Sequence, residues 1–563
     1  MTDEAYPPSD LENEHVLDRI KNNDPKITYM EFYFAYGSYS SRNCYAKSVD
    51  WDKEQWSFFR NSHLTSVSID IYIRENDDRL YTPMPEDIDN VRSFARALAR
   101  NQSITHIRLE GSTSIVGDIF TNLSPMIGRL HDLELVNTDL DNNSVQKLKM
   151  ALEACGQSEL QEFYLACNHT TNEQAGIIID AINGHCNKLK KLEWGSDNGE
   201  GLFEGSNGFL ALTNLVSNPS SALEMLDFSQ DDHYIDLDDS MAGEIDGTLA
   251  FATAIANNST LKAVNFGGCD NFFTTSEWQI VSSILRHNSI EELCFREQLI
   301  GVEGMIGITQ GLTNNTSLKK LNLTECGGVT SDGWIQLSDA IENNPAIPLE
   351  GLQISASIMT SEVTTSIASI LIGNESLKEL TLGGRWDMRD EVLFDLSNAL
   401  AGNDTLTTLS LGHVNGVVES RIKDDQSVGL KVLSRVLCNS SSIDATFQSN
   451  HTLAHVSLRV HDDNYRSAVL PTQLADMLRL NGNDNKFEVS RQKILRCHFD
   501  GYDTQEFVDM DLEVLPHVLA WSCGLDQRGA SLLFRIIQTF PSLFDSNSRT
   551  SKAAVVTKRK RNE

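Results

Sequence analysis

The chain has 563 residues, of which 40% are hydrophobic, and its formal net charge at pH 7 is −33. A negative field of this size repels phosphate groups, so the composition argues against non-specific binding to nucleic acid or to an anionic membrane surface. No run of about 18 apolar residues is present, so no membrane-spanning helix is predicted. The apolar content is nevertheless large enough for an extended core.

Residues 1–24 are predicted to form a polar N-terminal segment and a capping helix. The opening MTDEAYPPSDLENEH is polar and acidic, which is unlike a secretory signal peptide. Ser9 and Glu12 have the spacing of a helical capping box. The ten cysteines are scattered and include no C-x-x-C pair. These features predict a reducing, cytoplasmic location in which the thiols are free.

Residues 25–485 are predicted to be an array of about fourteen repeats. A phrase of the form L-x-x-L-x-L recurs along this region, for example in NNTSLKKLNL at 314–323. Its last three positions have the period of two that is typical of a strand with one buried face. Most phrases begin roughly 28 to 30 residues apart, which is long for a leucine-rich repeat. The phrases begin at Ile27, Leu64, Ile104, Leu130, Leu160, Leu189, Leu223, Leu261, Ile290, Leu318, Leu349, Leu377, Leu406 and Leu453.

Between the strands lies a second pattern, with the period of 3.6 that indicates helices. TSDGWIQLSDAIENN at 330–344 is one example, with Thr330 or Ser331 able to cap its start and Asn343 and Asn344 at its end. The asparagine before each strand is expected to sit in a turn with a left-handed backbone and to bond its own chain. Similar helices are predicted at 172–185, 275–288 and 389–403, and loop insertions are predicted in the longer gaps after Ile27, Leu64, Leu189, Leu223 and Leu406.

A single repeat of this kind cannot bury enough apolar surface to fold alone, so only a stacked array is stable. The predicted fold class is therefore α/β: a leucine-rich repeat solenoid, or horseshoe, with a concave parallel sheet and convex helices. LKKLNLTEC at 318–326, with the helix after it, resembles the ribonuclease-inhibitor-like class of leucine-rich repeat proteins. Cys326 stands where that class has Asn or Cys. The resemblance implies a fold and little about activity, because this fold supports many functions.

Residues 486–545 are predicted to form an all-helical C-terminal cap, since helical patterns rich in large apolar residues follow one another without a strand phrase. Together with LCNSSSIDATFQSNHTL at 437–453, this block resembles the C-terminal part of a large group of microalgal repeat proteins. Residues 546–563 are predicted to be a disordered basic tail. Within it, the run Lys558, Arg559, Lys560 and Arg561 resembles a nuclear-import signal, so a nuclear location is the alternative to a cytoplasmic one.

The sequence contains no phosphate loop, no G-x-S-x-G elbow and no H-E-x-x-H motif. We therefore predict that the protein is not an enzyme and has no cofactor and no metal site. The acidic run DDHYIDLDD at 231–239 departs from the calcium-loop pattern and is interpreted as a solvated insertion. Cys155, Cys167 and Cys186 lack the short ligand pairs of zinc fingers and are interpreted as packing residues. Trp386 is interpreted in the same way.

The third and fifth residues of each phrase alternate with the buried leucines, so they are predicted to point into the concave floor. Asp132, Glu134 and Glu162 are the sharpest candidates there, since these acids flank an aromatic residue that could anchor a contact. We expect a monomer that binds a basic segment of a protein partner near the third to seventh strands. The candidate partner-binding residues are Arg108, Asp132, Glu134, Glu162, Tyr164, Lys191, Glu193 and Asp227.

A non-catalytic scaffold for protein interaction is the favoured function, and two alternatives remain open. GTPase-activating proteins similar to the Ran activators share this repeat class and lack a phosphate loop. They carry an acidic C-terminal run, however, where this chain has a basic one. The opening IKNNDPKITYMEF at 20–32 resembles the first repeat of tropomodulin-like proteins, which implies an actin-filament cap. That array is much shorter than the one predicted here.

Overall fold

The leucine phrases form strands in the computed structural model. The structure describes residues 22–23, 25–26, 28–36, 62–73, 85–111, 116–138, 140–154, 156–166, 170–195, 206–228, 247–267, 273, 275–287, 289–355, 360–383, 390–414, 427–460, 470–498 and 517. Fourteen parallel strands lie within these residues, and each begins two residues after a predicted phrase start. The predicted α/β leucine-rich repeat fold is confirmed. The chain divides into two compact units, Met1–Val329 and Thr330–Glu563.

The first unit contains ten of these strands, which pair in chain order, and eight described helices that alternate with them. The strands are β1 (Tyr29–Tyr36), β2 (Ser66–Ile73), β3 (His106–Glu110), β4 (Asp132–Val136), β5 (Glu162–Ala166), β6 (Lys191–Gly195), β7 (Met225–Asp227), β8 (Ala263–Asn265), β9 (Glu292–Cys294) and β10 (Lys320–Leu323). The helices are α1 (Pro85–Arg100), α2 (Val116–Ile127), α3 (Asn142–Ala154), α4 (Asn172–His185), α5 (Ser206–Ser217), α6 (Thr248–Asn257), α7 (Thr275–Arg286) and α8 (Gly301–Leu312).

The second unit contains four parallel strands and seven described helices. Its strands are β11 (Gly351–Ser355), β12 (Glu379–Gly383), β13 (Thr408–Val414) and β14 (His455–Val460). Its helices are α9 (Ser331–Glu342), α10 (Ser361–Leu371), α11 (Asp390–Leu400), α12 (Val428–Leu437), α13 (Ile443–Phe447), α14 (Thr472–Asn481) and α15 (Lys486–His498).

The core of each unit lies between the sheet and the helices. In the phrase of β10 the first leucine precedes the strand and the next two alternate along it: Leu318, Leu321 and Leu323 are each at most 1% exposed. The helices add an apolar stripe from their inner side, for example Trp334, Leu337 and Ile341 of α9. Because these residues touch neighbouring repeats, burial increases with every repeat that is added.

The start of α9 follows its predicted capping signal, and α4 has a capping box that was not predicted. The hydroxyl of Thr330 caps α9 by accepting from the amide of Gly333, and the helix ends before Asn343. In α4 the capping box is complete, because Thr171 and Gln174 each bond the other's backbone amide. A hydroxyl that accepts from the third helical amide satisfies a donor that would otherwise lack a partner.

The asparagine that precedes several of the strands joins neighbouring repeats. Asn315 is fully buried, and its side-chain oxygen accepts from the amides of Ser317 (2.9 Å) and Leu318 (2.7 Å). Its amide nitrogen donates to the carbonyl of Leu285 in the preceding repeat. Three further asparagines repeat this pattern, with the preceding-repeat carbonyl in parentheses: Asn258 (Val216), Asn403 (Leu371) and Asn450 (Leu400).

The expected left-handed backbone at these asparagines is wrong. Within the described residues, the non-glycine residues with positive φ are Asn23, Asn137, Glu297 and Glu325, and none of the four bridging asparagines is among them. Asparagine is used there for its two-sided amide, which accepts within its own turn and donates to the next. The turn itself needs no special backbone conformation.

The repeat position that Cys326 occupies provides further hydrogen bonds between neighbouring repeats. The thiol of Cys326 donates to the carbonyl of Phe295 in the preceding repeat at 3.0 Å. One repeat earlier Gln298 takes the same position and donates to the carbonyl of Phe266 at 3.2 Å. Burial raises the pKa of the Cys326 thiol to about 12, so it stays protonated and can donate.

Several predictions lie outside the described residues. These include most of the N-terminal helix, the loop insertions, the acidic run at 231–239 and the sites of Cys155, Cys167 and Trp386. The same holds for the helical patterns beyond 498, apart from His517, and for the basic tail. Of the predicted C-terminal helices, the first is present as α15. Among the described residues, no helix has both the length and the apolar character needed to cross a membrane.

Candidate functional site: the polar face of strands β3–β7

The eight candidate residues lie on five neighbouring strands of the first unit. Parallel pairing in register aligns them in two rows across the sheet. Neighbouring members of a row belong to strands about 4.8 Å apart, so their charges act on each other directly. The first row contains His106, Asp132, Glu162, Lys191 and Met225, and the second contains Arg108, Glu134, Tyr164, Glu193 and Asp227.

Alternation along each strand separates this polar face from the core. In β4, Leu133 and Leu135 are at most 1% exposed, whereas Asp132 and Glu134 on the other face are partly exposed. The same alternation holds in β5, where Phe163 and Leu165 are buried. We call the two rows from β3 to β7, together with Glu110 at the end of β3, the acidic floor.

The two permanent cations of the acidic floor are held by its own carboxylates. Arg108 donates to Glu110 at 3.0 Å and to Glu134 at 3.2 Å. Burial alone would lower the pKa of Arg108, but these two acids raise it above its usual value. A guanidinium held between two carboxylates is therefore part of the floor's internal structure.

Lys191 is held in a similar way. Its ammonium lies 2.5 Å from a carboxylate oxygen of Glu193 on the same strand. Burial lowers the pKa of Lys191, but the bond to Glu193 and the negative charges of Glu162 and Asp227 raise it above its usual value. The ammonium stays charged and offsets part of the surrounding acidity.

The carboxylates at the centre of the floor repel one another. Burial raises the pKa of Asp132 above its usual range, and the negative charges of Glu162 and Glu134 raise it further. His106, which contacts Asp132, and His131 oppose this shift. Glu162 is exposed and forms no salt bridge with any described residue. A cation placed between these three acids would relieve the repulsion.

Tyr164 and Asp227 differ in how far they are accessible. Tyr164 is half-buried between the positions of Glu134 and Glu193 in its row. Asp227 is only 9% exposed, and its carboxylate accepts from the side-chain amide of Asn265 at 2.9 Å. Asp227 therefore contributes charge to the floor and offers little contact surface.

The acidic floor holds six carboxylates and two permanent cations, which leaves a formal charge of −4. The sequence analysis left Glu110, His106 and His131 out of the candidate set. The alternation of β3 extends one step beyond the phrase and brings Glu110 onto the same face. His131 lies just outside the strand, so strand periodicity could not reveal it.

No protein-family model and no curated protein matches this sequence. Among solved structures, one similar chain is from the crystal structure of the Rad7 and Elc1 complex in yeast. The two chains share 16% sequence identity with a TM-score of 0.34, and the match covers 71% of this chain and 83% of that one. A likeness this distant says nothing about what this chain binds.

Proposed function

We propose that this protein is a non-catalytic scaffold that binds a basic segment of a protein partner on the acidic floor. The observation that supports this most strongly is the crowding of Asp132 by Glu162 and Glu134, whose negative charges raise its pKa, together with the exposure of Glu162, which has no salt bridge to any described residue. The two cations nearby are already held by Glu110, Glu134 and Glu193. A partner's cation supplies the charge that the floor itself lacks.

The chemistry of the floor favours arginine in that segment. A guanidinium can donate to two carboxylates at once, and Asp132 and Glu162 lie directly opposite each other on adjacent strands. Tyr164 occupies the neighbouring row, and a tyrosine ring is a group on which a guanidinium can stack. An arginine-containing segment lying across β4 and β5 would use both features.

A pair of charge-matched variants tests this proposal. Glu134→Lys with Glu162→Lys reverses two charges of the floor, and Glu375→Lys with Glu379→Lys reverses two exposed charges in the second unit. Fluorescent arginine-rich and lysine-rich peptides are titrated against both variants and the natural chain over a range of salt concentrations. We expect the floor variant to bind the arginine-rich peptide about tenfold more weakly, with a flatter salt dependence. The second-unit variant should stay close to the natural chain.

Equal losses in both variants would mean that the peptides respond only to the overall charge of −33, and the proposal would be wrong. Partners are then captured from native cell extract on the natural chain and on both variants. A partner retained by the second-unit variant and lost from the floor variant identifies the occupant of the floor. Retention by both variants contradicts binding at this face.

A further inference from the structure

Two cysteines that are far apart in sequence meet in the second unit. Cys438 follows the end of α12, and Cys497 lies in the last turn of α15. Their sulfur atoms are 3.4 Å apart although 59 positions separate them along the chain. Both side chains are half-buried with respect to the described residues. This separation is close to contact, and a disulfide needs the sulfurs to approach by about a further 1.4 Å.

A buried lysine lies in the same cluster. Lys493 is fully buried, one turn before Cys497 on α15. Its ammonium donates to the carbonyls of Leu437 and Asn450 and to Nδ1 of His451, at 3.2 Å for the last. Three acceptors match the three N–H bonds of an ammonium group, whereas a neutral amine has two. Burial lowers the pKa of Lys493 to about 7, but this arrangement favours the charged form.

His451 is held in a single neutral tautomer. Its Nε2 donates to the carbonyl of Phe447 at 3.0 Å, which leaves Nδ1 to accept from Lys493. Burial and the charge of Lys493 lower the pKa of His451 to about 4. The positive charge of the cluster therefore resides on Lys493 and on Arg496, next to Cys497.

The two thiols are inequivalent. The contact with the Cys438 thiol lowers the pKa of Cys497 below its usual value against the effect of burial, and the charges of Lys493 and Arg496 act in the same direction as the contact. The same contact, with burial, raises the pKa of Cys438. Elsewhere in the chain, burial raises the pKa of Cys294 to about 11. Cys497 is thus the thiol of the pair that forms the nucleophilic thiolate.

We propose that Cys438 and Cys497 are a redox modification site, which closes to an intramolecular disulfide on contact with a small-molecule disulfide such as oxidised glutathione. The proposal is independent of the acidic floor. It rests on the sulfur–sulfur contact and on the buried lysine beside it.

The reaction is a pair of thiol–disulfide exchanges. The Cys497 thiolate attacks one sulfur of oxidised glutathione, forms a mixed disulfide and releases one glutathione thiolate. Cys438 then attacks the sulfur of Cys497, displaces the second glutathione thiolate and gives up its proton to the solvent. The protein loses two electrons and two protons, and one oxidised glutathione becomes two reduced molecules.

The bond would tie α12 to α15. Cys438 lies directly after α12, and α15 carries the lysine that bonds the carbonyl of Leu437, the last residue of that helix. A cross-link across 59 positions restricts the unfolded chain strongly, so the oxidised form is expected to melt a few degrees higher than the reduced form.

The test uses the full chain. The protein is incubated with oxidised glutathione, blocked with an alkylating agent and mapped by mass spectrometry without reduction. We expect one cross-linked peptide pair joining Cys438 to Cys497, reversal by dithiothreitol and a higher Tm before reversal. In the reduced protein, iodoacetamide should label Cys497 at least about tenfold faster than half-buried Cys294.

Cys497→Ser should abolish both the cross-link and the gain in Tm, whereas Cys294→Ser should retain both. The peptide map of the natural chain decides the question even if Cys497→Ser fails to fold. Stable mixed disulfides with glutathione at Cys438 or Cys497, without the intramolecular bond, would overturn the proposal. So would an unmodified pair in the folded chain under conditions that oxidise the denatured chain.

Discussion

At the scale of the residue, the buried asparagines are the most informative feature of the repeats. The sequence shows that an asparagine recurs before most strands, and its amide suits a turn. The sequence could not show the second hydrogen-bond partner, which is a backbone carbonyl in the preceding repeat. For Asn315 this partner is the carbonyl of Leu285. That contact exists only after the repeats stack, so local propensity contains no signal for it.

Asn315→Ala should lower the free energy of unfolding by about 3 kcal/mol, because it leaves the amide of Leu318 and the carbonyl of Leu285 buried without their partner. Asn314→Ala is the matched control, since this adjacent asparagine is exposed and its replacement should be nearly neutral. Urea denaturation followed by circular dichroism measures both. Equal effects of the two substitutions would show that Asn315 matters only as a turn former.

At the scale of the element, three glycines determine how closely α8 packs on α7. A Cβ atom added at Gly307 would lie 2.2 Å from the carbonyl oxygen of Trp278. One added at Gly304 or Gly311 would meet the side chain of Trp278 or Leu285 at less than 3 Å. The helices approach this closely because α8 presents hydrogen atoms where other residues have a side chain.

Gly307→Ala should therefore destabilise the protein by about 2 kcal/mol, although alanine has the higher intrinsic helix propensity. The clash is with backbone atoms of Trp278, which cannot move aside as a flexible side chain can. In Gly373→Ala the new methyl group meets nothing within 4 Å, so this variant should retain the natural stability. Thermal denaturation of both variants tests this, and an unchanged Tm for Gly307→Ala would mean that α8 shifts without cost.

The elements themselves were largely predictable from sequence. Every strand among the described residues begins within a predicted phrase, because a period of two with buried leucines is a strong local signal. The helices at 172–185 and 330–344 were predicted to within two residues at each end, since the period of 3.6 indicates both and a capping residue marks the start of the second. The same alternation predicted which residues share the acidic floor. It could not predict that Arg108 and Lys191 are already held by Glu110 and Glu193.

At the scale of the whole chain, the proximity of the two thiols is a feature that the sequence could not predict. Cys438 and Cys497 are separated by a strand and two helices, and neither belongs to a recognisable cysteine motif. Only the packing of α15 beside the end of α12 brings them together. The charge of Lys493 was equally hidden, because a lysine in a helical pattern is normally predicted to face the solvent.

Removal of residues 486–563 should convert the chain into an aggregating species. This truncation deletes α15, which buries Val489 and Ile494 and bonds the carbonyls of Leu437 and Asn450 through Lys493. The exposed end of an array associates with other chains unless a polar surface covers it. The control is removal of 546–563 alone, which should leave a monomer with an unchanged Tm. Size-exclusion chromatography with light scattering separates the outcomes, and a monomeric, cooperatively melting 1–485 fragment would contradict the prediction.

The asparagine bridges also bear on how such a chain can change its length over evolution. At four junctions the bridging asparagine supplies the donor, and the repeat before it supplies the same kind of carbonyl. A duplicated gene segment that encodes one whole repeat therefore encodes both an asparagine donor and a carbonyl acceptor for the hydrogen bonds to its neighbours. Insertion or loss of a complete unit requires no compensating substitution at the joints, whereas a partial unit breaks them. The gene can thus vary its number of repeats while each joint remains chemically the same.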